Sequence, residues 1–148
     1  MSNQFRIMGF MAAIGVLMAA CSGTAPMNRG ILADGRLAPC PDKPNCVSSF
    51  APADDKRHFI APLAADGAAW ERLPGILADI PGFRIIRQED RYLRAEATTR
   101  IWRFVDDVEF MYDPGHSLIH VRSASRVGYS DLGANRRRIE AIRERLGG

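Results

Sequence analysis

Polar and apolar residues alternate with a period of two through the middle of the chain. In residues 92–99, Leu93, Ala95 and Ala97 interleave with Arg94, Glu96 and Thr98. In 107–112, Val108, Phe110 and Tyr112 interleave with Asp107 and Glu109, and in 118–125, Ile119 and Val121 interleave with His120 and Arg122. Successive strand residues point to opposite faces, so the pattern predicts antiparallel strands with one face in a core and the other solvated. Asp113-Pro114-Gly115-His116-Ser117 supplies the turn between the last two. Shorter strands are expected at 83–87 and at 58–63, where Pro62 places the strand at an edge or end. Residues 100–105 fit either a bulged strand or a loop.

Two stretches change to a helical period. Trp70, Leu73, Leu77 and Ile80 follow Asp66, a good N-cap, with Pro74 expected to kink the helix and Pro81-Gly82 to end it. Leu132, Asn135, Ile139, Ile142 and Leu146 make a second stripe behind Asp131. Arg136, Arg137 and Arg138 lie mostly off that stripe, and Arg143 and Arg145 suit the C-terminal end of the dipole. Strand, helix, several strands and helix predict an α+β domain: a twisted antiparallel sheet of about four to five strands with two helices packed on one face.

The first 39 residues obey neither period. Arg6 precedes an apolar run from Ile7 to Ala20 that is too short for a comfortable span and matches the core of a signal peptide. Leu17-Met18-Ala19-Ala20-Cys21 resembles the bacterial lipoprotein cleavage box, with Met18 where Leu is commonest. The expected organisation is a lipoprotein signal peptide over 1–20, an acylated Cys21, a flexible Ser/Gly/Ala/Pro-rich tether over 21–39, and one α+β domain over 40–148. By resemblance to lipoprotein sorting rules, in which an Asp after the Cys means inner-membrane retention, Ser22 favours the outer membrane facing the periplasm.

That address changes the meaning of the remaining cysteines. Cys40 and Cys46 bracket Pro41, Pro44 and Asn45, all turn formers, and an oxidising compartment favours a disulfide. A nucleophilic Cys46 assisted by His58 or His120 is the alternative, which would make the protein a hydrolase or thiol enzyme. The adjacent Asp106 and Asp107 point to opposite faces of a strand and make no catalytic pair. No cofactor and no metal site are expected. A net charge of +3 is too small an excess to imply nucleic acid.

The richest polar segment is 122–138. Arg122, Ser123, Ser125, Arg126, Tyr129 and Asn135 gather at a strand–loop–helix junction, where forked Arg donors and free helix amides can hold an anion. A purely structural reading stands beside it: Arg122 opposite Glu109 or Asp107 forms a cross-strand pair on a solvated face, and Gly128 and Asp131 serve as turn and cap. The function expected is a non-enzymatic envelope module for an anionic small molecule or an envelope protein, attached to the membrane through its N-terminal lipid.

Cys40-Pro41 with Pro44-Asn45-Cys46-Val47-Ser48-Ser49, Tyr92-Leu93-Arg94-Ala95-Glu96, Asp106-Asp107-Val108-Glu109-Phe110, and the run from Val121 to Gly133 with Asn135-Arg136-Arg137-Arg138 resemble the proteins grouped as domain of unknown function 1499. The likeness covers residues 38–148. The resemblance implies a small exported or envelope domain and brings no activity with it.

Overall fold

A computed structural model describes residues 23–24 and 29–147. The expected signal peptide and Cys21 lie outside them. The chain forms β1 (Cys46–Ser48), β2 (Leu63–Ala64), α1 (Gly67–Ala78), β3 (Phe83–Gln88), β4 (Tyr92–Thr98), β5 (Val105–Asp113), β6 (Leu118–Ser125) and α2 (Ala134–Gly147). The fold is α+β, with one antiparallel sheet of six strands in the order β1-β6-β5-β4-β3, while β2 also pairs with β6.

β4, β5 and β6 lie where the alternation placed them, β3 lies where a short strand was expected, and residues 99–104 are the β4–β5 loop. The early strand is shorter than expected. Only Leu63–Ala64 joins the sheet, and upstream Phe59 makes an isolated parallel bridge to Ser48. β1 carries no alternating signal because all three of its residues are buried.

Register sorts the side chains onto two faces. Val108 lies opposite Ala95 and Ser123, and Phe110 opposite Leu93 and Val121. Leu93, Ala95, Val108, Phe110 and Val121 share one core with Leu73 and Leu77 of α1 and Ile139, Ile142 and Leu146 of α2. Asp66 caps α1 by accepting the Ala69 amide at 2.8 Å, and Pro74 sits inside the helix as expected. The α2 stripe starts at Asn135 rather than at Leu132, which lies in the preceding loop and is 84% exposed.

The second face is covered as well. Residues 29–39, within the expected tether, lie against it: the Gly30 amide donates to Glu109 at 2.7 Å, and Leu37 and Ala38 are buried. Apolar Leu37 and Ala38 gain by leaving water, and the Gly30 amide meets a carboxylate there.

Candidate functional site

The covered face carries charge. Glu109 of β5 stands opposite Arg122 of β6 and Arg94 of β4, and Asp107 stands opposite Glu96. Of the two partners expected for Arg122, Glu109 and Asp107, the register selects Glu109, but the face is not solvated. Asp107 and Glu109 are fully buried and Arg122 is 5% exposed. The difference is the segment 29–39, which removes water from a face that the alternation alone leaves open.

A buried carboxylate is costly unless donors surround it. Glu109 has three: the Gly30 amide and the Tyr92 hydroxyl, each at 2.7 Å, and Arg122 Nη1 at 3.1 Å. Asp107 accepts a fork from Arg126, Nε at 2.8 Å and Nη2 at 2.9 Å, and a further bond from Arg29 at 2.9 Å. Arg126 also bonds Glu96. Burial pushes Asp107 up, but the Arg126 and Arg29 guanidinium groups outweigh it and hold the carboxyl below its usual range. Glu96 behaves alike: burial raises it, and Arg126 and Arg84 bring it down overall. Burial, reinforced by the Glu109 charge, pushes the Tyr92 hydroxyl far up, so it remains a donor.

The guanidinium groups of Arg29, Arg94, Arg122 and Arg126 thus face the carboxylates of Glu96, Asp107 and Glu109. Arg126 is matched on several sides, whereas Arg122 is not. Its Nη1 is taken by Glu109, while its Nε is buried with no partner among the described residues. An unsatisfied buried donor costs about 1–3 kcal/mol. Arg122 lines a cavity of about 440 Å³. Arg126, Lys43, Asn45 and the loop Pro39–Pro41 line it too. Asn45 Oδ1 is likewise buried and without a partner among the described residues, while its Nδ2 donates to Gly128 O at 2.9 Å.

The other residues singled out in the sequence lie elsewhere. Ser123 and Asn135 are on the core side, where Ser123 Oγ donates to Asn135 Oδ1 at 2.6 Å. Asn135 Nδ2 reaches Asn45 O, Ser125 Oγ and Asp131. Arg138 bonds both Ser123 and Asn135 and pairs with Asp106. This is a satisfied polar tie between α2 and the sheet. Ser125, at the strand end, also lines the cavity. Tyr129 is exposed on the β6–α2 loop. Burial raises Asp131, but bonds from the Asn135 and Gly133 amides win and hold it low, as a helix-capping carboxylate requires. Lys43 and Asn45 were not read as cavity residues from sequence, because their neighbours marked the segment as a turn and nothing local shows what the turn faces.

Cys40 and Cys46 form a disulfide, so Cys46 offers no thiolate. His58 is held between Asp55 and Lys43 O. Nδ1 of His120 lies 3.2 Å from Ser49 Oγ, and its Nε2 lies 3.9 Å from Asp113, but neither Ser49 nor His120 lines the arginine cavity. Asp106 and Asp107 face opposite sides of the sheet, each with its own arginine.

No curated protein and no solved structure matches the chain. A family model described as protein of unknown function (DUF1499) matches residues 36–146, which include every strand, α1, all but the last residue of α2 and all the cavity residues named above. The chain belongs to the DUF1499 family.

Proposed function

We propose that this is a cell-envelope lipoprotein, exported by its first 20 residues and acylated at Cys21, whose domain binds an anionic small molecule in the cavity over Arg122. The observation that carries the binding reading is the unmatched Arg122 Nε. A guanidinium presents its Nε and an adjacent Nη as a fork that fits two oxygens of a carboxylate or phosphate. The four guanidinium groups named on this face outnumber its three carboxylates, and Lys43 adds charge at the rim. The orphaned Asn45 Oδ1 asks for a donor, so the favoured ligand combines an anionic group with a hydroxyl or amine.

The address is supported by the apolar run ending at Ala19-Ala20-Cys21, and Ser22 favours the outer membrane facing the periplasm. Binding is tested by melting curves at fixed ionic strength with phosphate, sulfate, hydroxycarboxylates and sugar phosphates. A ligand at 100 times its Kd adds about 2.7 kcal/mol to stability. Arg122→Lys keeps a cation for Glu109 but removes the fork, and Lys43→Ala alters only the rim. Both variants are expected to fold and to lose part or all of the ligand shift. Equal shifts in wild type and both variants, or none in wild type, would return Arg122 to a purely structural role.

A further inference from the structure

The end of the sheet where β4 passes to β5 and β6 passes to α2 displays apolar side chains that the fold does not use. On the first loop Ile101 is 81% and Trp102 74% exposed, with Phe104 also outward. On the second, Tyr129 and Leu132 are outward. The loops face each other across a cavity of about 410 Å³ lined by Thr99 and Phe104 from one and Val127, Gly128 and Ser130 from the other. Leu132 has φ of 52°, a left-handed backbone that a residue with a Cβ rarely adopts. Neither packing nor backbone preference accounts for a leucine there. Arg100 and Arg103 flank Ile101 and Trp102.

The chain arrives at this same end. A Cβ on Gly23 would come within 2.6 Å of Val127 Cγ1, so the backbone at Gly23 lies directly on the β6–α2 loop. Cys21 is two residues before Gly23 in the chain, a length of at most about 7 Å when fully extended. An acyl anchor on Cys21 would therefore hold these tips at the bilayer, with no spacer between them.

We infer that the loops 99–104 and 127–133 form a membrane-docking surface, inserting Trp102, Ile101 and Leu132 among the lipid headgroups. Aromatic and aliphatic tips flanked by arginines match the interfacial zone of an anionic bilayer, where indole rings and guanidinium groups both find partners. The inference rests on the acylation of Cys21 proposed above.

The full processed chain is to be reconstituted into vesicles of phosphatidylethanolamine and phosphatidylglycerol, some bearing bromines at defined acyl positions. Trp70 and Trp102 are the two tryptophans, and the signal lost in Trp102→Phe isolates Trp102. Emission of Trp102 is expected to shift to the blue, to be quenched by bromines near the headgroup, and to lose most of its quenching by aqueous iodide. The double variant Ile101→Asp with Leu132→Asp, at positions the fold leaves in water, should float with the vesicles yet restore iodide access. Palmitate labelling and flotation report the anchor separately. Labelled, floating protein whose Trp102 stays as open to iodide as before reconstitution would overturn docking and leave the anchor intact. Unlabelled protein that does not float would overturn both. Trp102 shielded from iodide before any lipid is added would replace the bilayer by a protein partner, a second copy included.

Discussion

Arg122 shows how burial changes the meaning of a charge pair. On a solvated strand face, Arg122→Ala would cost under about 1 kcal/mol. Beneath residues 29–39 it strands a fully buried Glu109, and breaking such a pair costs about 3–5 kcal/mol. Chemical denaturation of Arg122→Ala should show that larger loss, and Arg122→Lys a smaller one. Acid titration tests the same cluster. Asp107 and Glu96 are held below their ordinary values of 3.8 and 4.5 in the folded protein. Their contribution is complete above those values and disappears as pH falls through the lower folded ones. Melting temperature should therefore fall steeply below about pH 4, less so in Asp107→Asn; a flat acid limb would remove the cluster from the stability account. Part of the pairing was legible, since keeping Phe110 and Val121 on one face sets either Glu109 or Asp107 against Arg122, and the register in the structure selects Glu109. Legible too is the separation of Arg122 from Ser123: neighbouring strand residues face opposite ways, so one cavity does not take both side chains. The burial was not legible, because it depends on a segment far away in sequence.

At the level of elements, two connections decide whether the cavity keeps its shape. The Cys40–Cys46 bridge closes a loop whose ends differ by six positions, and it joins the start of β1 to the cavity wall at Pro39–Pro41. Reduction should cost about 2 kcal/mol by loop entropy, which corresponds to a melting temperature lower by roughly 5–10 °C. Calorimetry with and without reductant reads this directly, and an unchanged transition would mean the loop is held by its packing alone. The second connection is Asn135, which ties α2 to Asn45 O and to Ser123 and Ser125 of β6. Asn135→Leu keeps the number and branching of the side-chain heavy atoms but leaves several buried groups without their hydrogen-bond partner, at about 1–3 kcal/mol each. The prediction is a loss of at least about 3 kcal/mol in urea, far more than a conservative core change such as Ile139→Val, at about 0.5–1.5 kcal/mol. The helical stripe containing Asn135 was readable from its spacing. The strands before it were readable only where one face was polar: β4, β5 and β6 alternate, whereas β1, buried at all three residues, has no alternation to show.

For the whole molecule the question is where the folded unit begins. The family match starts at residue 36, yet contacts with the sheet begin earlier, at Arg29 with Asp107 and at Gly30 with Glu109. These residues carry no period because they cover the sheet through one backbone amide and one side chain, and in sequence such a segment looks like a linker. A chain starting at residue 29 and one starting at residue 36 separate the possibilities. The shorter one keeps the buried Leu37 and Ala38 but removes one of three donors from Glu109 and one guanidinium from Asp107. A hydrogen bond to a buried charge is worth about 1.5–3 kcal/mol, so the shorter chain should be less stable by about that amount. The loss should appear in the urea midpoint with little change in slope, since few apolar residues leave the fold. The acid limb should move as well: without Arg29 the Asp107 carboxyl is held less far below its ordinary value, so stability lost on acidification begins at higher pH. Equal midpoints and superimposable acid limbs would show that residues 29–35 merely rest on the sheet. A lower midpoint with a shifted limb would place the boundary of the cooperative unit at or before Arg29, within eight positions of Cys21.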